Sequence, residues 1–473
     1  MRMSSYPRDM VGYAGKPPHA KWPNGARIAV QFVINYEEGG ENNILHGDAA
    51  SEAFLSEIVG AQPWPGQRHM NMESIYEYGS RVGFWRLHDM FTRRNMAVTV
   101  FGVASAMARN PGAVAAMNEA GWEIASHGLK WIDYKDFTAD AEREHIEEAI
   151  RIHTQVAGTR PLGFYQGRTS VNTIPLTMKE GGFVYSADVY ADELPYWAES
   201  GSHQLLMVPY TLDANDMRFA TPQGFNAGDQ FFSYLKDSFD VLYREGASAP
   251  KMLSIGLHCR LVGRPGRAAA LERFLDYVQQ HEQVWVARRL DIARHWIKTH
   301  PPKGGYQPSR MGRGLFVEAF GDIFEHTPQV AERSHAIGLT SAQDSADGLH
   351  QRMVEVMRQM SDAEKLALIV AHPDLAGRLA LAKQLTADSA NEQGSVGLDR
   401  LTPVELEKFT TLNNSYRSRF GFPFIFAVKG KTKDDIIQSF ESRINNSKEQ
   451  EFAEALRQIE RIGLLRLKDR LAA

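Results

Sequence analysis

The sequence contains one cysteine, Cys259, in 473 residues. No disulfide can form within such a chain, and a reducing, cytoplasmic compartment is expected. Long hydrophobic runs are missing too: nothing approaches the roughly 20 consecutive apolar residues that a membrane-spanning helix needs. Residues 1–20 are polar and Pro-containing, without the apolar centre of a signal peptide. The last residues, Arg470-Leu471-Ala472-Ala473, are not a Ser-Lys-Leu peroxisomal address. Nor does either sign of charge dominate. The 53 Lys and Arg and 57 Asp and Glu give a net charge of -4, and no long block of one sign occurs. The electrostatic footprint of a nucleic-acid or anionic-membrane binder is therefore absent. Small molecules are the expected partners, and a homo-oligomer is the expected assembly. There is no internal repeat and no low-complexity tract.

The length exceeds one typical domain, and 43% apolar residues can fill two cores. One composition shift divides the chain. The stretch Pro301-Pro302-Lys303-Gly304-Gly305-Tyr306-Gln307-Pro308-Ser309-Arg310 has turn and linker chemistry and no hydrophobic period. Residues 1–300 are thus expected to form one domain, 301–313 a linker and 314–473 a second domain.

In the first region short apolar runs alternate with helical patterns. Ala29–Ile34, Val98–Val103, Trp122–Ala125, Leu206–Val208 and Leu253–Leu257 read as buried strands. Polar residues follow several of them: Glu37 and Glu38 after the first, His127 after the third, His258 at the end of the last. The reading is an α/β fold, a distorted β/α barrel in which the C-terminal strand ends share one mouth. Glu37 and Glu38 would point to opposite faces of a continuing strand, so only one is expected in the site. Cys259 is expected to point away, as an inert thiol. The segment from Glu41 to Asn71 is long for a connection and suits a lid or a subunit contact.

The second region changes period. Ser361-Asp362-Ala363-Glu364 is a capping box, followed by Leu366, Ile369 and Val370 on one expected helix face. His372 ends this helix before Pro373, where the helix dipole would favour imidazolium. Thr402-Pro403-Val404-Glu405 opens another helix, with Leu406, Phe409, Asn413, Tyr416 and Phe420 at intervals of three or four. A last helix aligns Phe452, Leu456, Ile459 and Gly463, and Arg466 falls on the same stripe, where a charge requires an anionic partner. No alternation of strand type is sustained, so this domain is expected to be all-α.

Three blocks in that region carry a resemblance: Ala371-His372-Pro373-Asp374-Leu375-Ala376, Ser389-Ala390-Asn391-Glu392-Gln393, and the run from Asn414 to Ile425 containing Phe420-Gly421-Phe422-Pro423-Phe424-Ile425. Together with Phe324-Glu325-His326-Thr327-Pro328 they resemble the 2-oxo-4-hydroxy-4-carboxy-5-ureidoimidazoline (OHCU) decarboxylases, over residues 316–471. The resemblance implies a cofactor-free decarboxylation giving (S)-allantoin. It implies His372, Glu392 and Arg466 as catalytic residues, with Ser389, Gln393, Phe424 and Ile425 against the substrate.

The first region resembles the polysaccharide deacetylase superfamily, most closely its allantoinase branch, over residues 5–300. The matching segments run in order. They are Asn35–Glu41, Ser126-His127-Gly128, Gly163–Ser170, Asp188–Tyr196, Pro209–Asp216 and Leu257-His258. Metal-dependent deacetylases have an Asp pair after the first strand and a second His four residues after the first; here those places hold Glu37-Glu38 and Trp131. A site without metal is therefore expected. The implied chemistry is opening of a cyclic amide. Glu37 or Glu38 would be the base, His127 and His258 would carry protons or stabilise the oxyanion, and Arg168, Asn215, Asp216 and Glu38 would meet the substrate. The expectation is a bifunctional enzyme of urate breakdown acting on OHCU and on allantoin. The alternative joins an active decarboxylase to a different cyclic amidohydrolase or deacetylase, or to a non-catalytic module.

Overall fold

The computed structural model describes residues 6–376, 387–398 and 400–471. The chain divides into two compact units, Met1–His300 and Pro301–Ala473.

The first unit is built on one nine-stranded sheet: β1 (Ile28–Tyr36), β2 (Thr99–Gly102), β3 (Glu123–Ser126), β4 (Gly163–Phe164), β5 (Tyr185–Ser186), β6 (Tyr196–Ser200), β7 (His203–Met207), β8 (Lys251–His258) and β9 (Val284–Val286). The order is β6-β7-β5-β4-β3-β2-β1-β8, with β9 pairing the first residues of β1. Every pair is parallel except β6 with β7. β1 is buried along its whole length, which is why its sequence is an almost unbroken apolar run rather than an alternation. Outward, Phe32 packs against Phe91 and Phe274 of neighbouring helices, with ring centroids 5.2 and 6.4 Å apart.

The sheet curls into a half-barrel without closing, because among the described residues no ladder joins β8 to β6 or β7. Residues 209–216 lie beside β8 instead, where Asn215 bridges Gly256. A Cβ on Gly256 would stand 2.2 Å from Asn215 Nδ2 and 2.6 Å from Tyr210 Oη, so only glycine admits this approach. The approach delivers Asp216 to the end of β8.

The second unit has no named strand among its described residues and is built of helices Arg313–Phe320, Gln329–Ala336, Ala346–Gln359, Asp362–Ala371, Ala387–Ser395, Pro403–Phe420, Lys433–Arg443 and Lys448–Leu471, joined by turns and loops. Ser361 with Glu364 forms the expected capping box, and Thr402 with Glu405 forms a second at the expected helix start. One expected face is corrected in part: Ile369 is buried as expected, but Leu366 and Val370 are exposed and Leu368 is buried in their place. The residues read as a linker, 301–313, pack into this unit, where Tyr306 is buried and its ring meets Phe320. A buried ion pair fixes one wall of the later site. Glu451 accepts from Arg443 Nε at 2.7 Å and from Asn446 Nδ2 at 2.7 Å. Arg443 Nη1 in turn holds the Ile425 carbonyl at 2.8 Å.

Candidate active sites

In the first unit, β1, β3 and β8 deliver Glu37, His127 and His258 from their C-terminal ends to one point. Glu37 Oε1 lies 3.3 Å from His127 Nε2 and 3.4 Å from His258 Nε2. The Nδ1–H of His127 donates to the Tyr165 carbonyl at 3.1 Å, which turns Nε2 toward Glu37. His258 Nδ1 is bonded to Asp216 Oδ1 at 2.6 Å, and Asp216 Oδ2 accepts from the backbone N–H groups of His258 and Val262 at 2.7 and 3.0 Å. Beneath Glu37, fully buried Arg260 donates from Nη2 to Glu37 Oε2 at 2.6 Å and from Nε to the Leu55 carbonyl at 2.8 Å.

These contacts set the charges. Burial works against ionisation of Glu37, but Arg260, His258 and His127 outweigh it and hold its carboxyl well below the usual range. Burial likewise works against a charged His258, yet Glu37 and Asp216 carry it up to about 9. Burial pushes Glu38 up, and Glu41 up to about 7. The site therefore holds an ionised Glu37 next to a protonated His258.

Three expected roles are corrected. Glu38 does not face the histidines: its Oε1 accepts from the Arg260 backbone N–H at 3.2 Å, behind the site. Asn215 uses its Oδ1 on the Met217 N–H and its Nδ2 on the Thr211 carbonyl, and Asp216 is spent on His258 and Val262. Neither is free to bind a ureido group. Arg168, expected to meet the substrate, lies flat on Trp131, 3.9 Å from the ring centroid, with Glu52 at 3.7 Å, and its buried Nη2 has no hydrogen-bond partner among the described residues. Cys259 is buried and its thiol is pushed up by burial, in keeping with an inert role.

A divalent metal does not suit this donor set. Trp131 fills the place of the second deacetylase His and packs between the guanidinium groups of Arg168 and Arg260, the latter 5.1 Å from its ring centroid. Arg260 already neutralises the only carboxylate that both histidines reach among the described residues.

In the second unit His372 caps the C-terminus of helix Asp362–Ala371. Its Nδ1–H donates to the Leu368 carbonyl at 2.9 Å, and its buried Nε2 has no partner among the described residues. His372, Ser389, Glu392, Gln393, Phe424, Ile425 and Arg466 all line one cavity. Here the expected imidazolium is corrected: burial, with Arg466 and His326, lowers His372 to about 4 against the opposing pull of Glu325 and the Leu368 carbonyl. The helix dipole loses to desolvation, so His372 presents a neutral ring with a bare lone pair.

Arg466 has the anionic partners that its place on an apolar stripe requires. Its Nε and Nη2 grip Glu392 as a fork at 2.8 and 3.0 Å; Nη1 bonds Glu325 at 2.7 Å and Nη2 bonds Ser389 Oγ at 3.1 Å. With those donors taken, Arg466 orients Glu392 rather than a substrate carboxylate. Gln393 accepts from the Ala376 N–H at 2.9 Å, holding the turn that follows His372.

Sequence reasoning passes over Arg260 and gives Glu325 no role. Each has a signal, a charged residue inside an apolar stretch: Cys259-Arg260-Leu261-Val262 and Ile323-Phe324-Glu325.

Geometry and fold thus define two unlike catalytic modules, an α/β half-barrel with a His-Glu-His-Asp centre and a helical unit with a His-Glu-Arg pocket. The polysaccharide deacetylase profile matches residues 72–177 and the OHCU decarboxylase profile residues 309–468. A Schizosaccharomyces pombe protein assigned to the polysaccharide deacetylases is 42% identical over 316 residues, 63% of this chain and 98% of that one. The OHCU decarboxylase of Halalkalicoccus jeotgali is 44% identical over 154 residues, 33% of this chain and 84% of that one. The crystal structure of Puue allantoinase superposes with a TM-score of 0.62 at 60% identity, covering 63% of this chain and 99% of that one. The chain belongs to the polysaccharide deacetylase family through its first unit and to the OHCU decarboxylase family through its second.

Proposed function

We propose that this chain carries out two consecutive steps of urate breakdown, decarboxylating OHCU to (S)-allantoin in the helical unit and hydrolysing allantoin to allantoate in the half-barrel. The observation that carries the reading is that each unit matches, over nearly the whole of a relative, a protein of one of these two activities.

In the helical unit, the neutral Nε2 of His372 accepts the substrate hydroxyl proton. The C–CO2 bond breaks, CO2 leaves, and its electron pair enters the adjacent C=N of the imidazoline. Two protons then return, the one held by His372 and one from solvent: one goes to the ring nitrogen that took the pair, and one to a single face of the ureido-bearing carbon, which fixes the (S) centre. Glu392, aimed by Arg466, meets ring or ureido N–H groups, while Phe424 and Ile425 wall off water. In the half-barrel, water attacks the hydantoin carbonyl. Glu37 is too stabilised as an anion to be a strong base, so it orients the water and steadies the two histidines. His127 Nε2 takes the water proton, and protonated His258 gives one to the departing nitrogen. No metal is assigned to this step. Self-association and a cytoplasmic location belong to the same reading; among the described residues no helix is long and apolar enough to cross a membrane.

The test is product identification by NMR with the intact chain. OHCU should give allantoin and then allantoate. The His372→Ala chain should convert only supplied allantoin, and the His258→Ala chain should stop at allantoin. Failure of the wild-type chain to form allantoate from allantoin would leave the half-barrel to a different cyclic amide or to no reaction.

A further inference from the structure

Glu325 is wholly buried, 1% exposed, at the turn after helix Arg313–Phe320, and it does not line the cavity. It nevertheless contacts two residues that do. Its Oε2 accepts from Arg466 Nη1 at 2.7 Å and its Oε1 from Ser389 Oγ at 2.9 Å. Arg466 Nη2 closes the triangle on Ser389 Oγ at 3.1 Å. A buried carboxylate survives only when paired and hydrogen-bonded, and both conditions are met here by site residues.

Two carboxylates share the one guanidinium, and they are not equivalent. Glu392 holds the Nε/Nη2 edge and its side chain is 22% exposed toward the cavity, whereas Glu325 holds Nη1 from the protein interior. The substrate adds a further negative charge, its carboxylate. Glu392 is the carboxylate that meets the substrate, and Arg466 can keep aiming it only if the interior anion holds the guanidinium in place.

We propose that Glu325 is a positioning residue of the decarboxylase site, a resident counter-ion that anchors Arg466 and Ser389 so that Arg466 holds Glu392 toward the substrate. The inference rests on the helical pocket being the decarboxylase site. Glu325 also faces His372 electrostatically, together with Arg466 and His326, and favours protonation of its ring. Removing that charge lowers the tendency of His372 to take up a proton, a change that a purely structural residue would not produce.

The experiment is Glu325→Gln and Glu325→Asp in the full chain, with pH profiles of kcat/KM for OHCU loss and a thermal melt of each variant. Gln keeps the shape and one acceptor; Asp keeps the charge. We expect kcat/KM of Glu325→Gln to fall about tenfold or more, with kcat affected more than KM and the acid limb of the profile moved to lower pH. Glu325→Asp should recover most of the rate and the wild-type limb. A folded Glu325→Gln with wild-type kcat/KM and an unmoved limb overturns the proposal. If Glu325→Gln does not fold, Glu325→Asp decides: a wild-type limb supports the proposal and a displaced one overturns it. His372→Ala is measured in parallel, because undiminished decarboxylation in that variant means the pocket itself has been misassigned.

Discussion

Replacing Asp216 by Asn changes one atom beside His258 and probes the charge logic of the half-barrel. In the native site His258 is raised to about 9 from the ordinary 6.5. That difference is ~3 kcal/mol of preference for the charged ring, drawn from Glu37 and Asp216 against the cost of burial. Asp216→Asn would remove one of the two anions and put an N–H or a weaker acceptor opposite donors that now bond the carboxylate at 2.6, 2.7 and 3.0 Å. If Asp216 supplies about half or more of the effect, the alkaline limb of allantoin hydrolysis falls by about one to two pH units, ~1.4–2.7 kcal/mol, and kcat above the lowered limb falls about ten- to 100-fold. The same shift has a stability signature. Because the folded-state value lies above the ordinary one, the His258 pairing stabilises the fold fully below about pH 6.5 and its contribution disappears as pH rises through about 9. The wild-type melting temperature should therefore drop between these limits by more than that of Asp216→Asn. Initial rates followed by allantoate appearance across and beyond both limits, with melts over the same range, test both statements. A variant with native kcat and a limb still near 9 would refute the assignment of His258 as the acid.

Other consequences can be checked in the same assays. His372→Ala should abolish enzymatic OHCU loss while allantoin hydrolysis stays within about twofold, since no other imidazole lines the cavity among the described residues. The acid limb of wild-type decarboxylation should lie well below 6.5, because His372 is lowered to about 4; a limb at or above 6.5 contradicts a neutral buried base. Exhaustive chelation, checked by elemental analysis, should leave most allantoin hydrolysis intact, and activity that disappears with metal and returns in stoichiometric amounts with zinc would restore a coordinating role to Glu37, His127 and His258. Arg260→Leu should cost about 3 kcal/mol of stability by taking from buried Glu37 its guanidinium partner, visible as a fall in the denaturation midpoint together with loss of hydrolysis; an unperturbed midpoint would show that Arg260 does not hold that carboxylate.

The strands that carry chemistry are legible because β1 and β8 are long and apolar enough to show their burial without any partner. The shortest are not. β4 and β5 are two residues each, too few to display a period, and exist only because neighbours align them. Site residues follow a similar division. Glu37, His127 and His258 can be placed because strand ends in such a sheet converge, but the jobs of Asn215 and Asp216 cannot. Their donors and acceptors are committed to a loop that reaches β8 only through the space left by Gly256, a fact of three dimensions. His372 shows a competition that sequence reasoning weighs wrongly: position at a helix C-terminus favours the charged ring, and burial, invisible in the sequence, reverses it.

The two sites treat their histidines in opposite ways, and this bears on how they can share one chain. His258 sits between two carboxylates and keeps its proton up to about 9; His372 is buried with a cation nearby and stays neutral down to about 4. Each state is the one its proposed step requires, a donor for a departing nitrogen in one case and an acceptor for a hydroxyl proton in the other. One loses function as pH rises and the other as pH falls, so both operate together between those limits. A chain that hands allantoin from one site to the other needs that overlap, and it is obtained by adjusting the environment of an ordinary imidazole in opposite directions. Asp216→Asn lowers the alkaline limb of hydrolysis and leaves the acid limb of decarboxylation where it is, so it narrows the shared range from above. Supplied with OHCU a little below pH 9, the variant should accumulate allantoin where the wild-type chain carries it on to allantoate. Equal allantoate yields from the two chains at that pH would mean that the charge on His258 does not set the upper limit of the overlap.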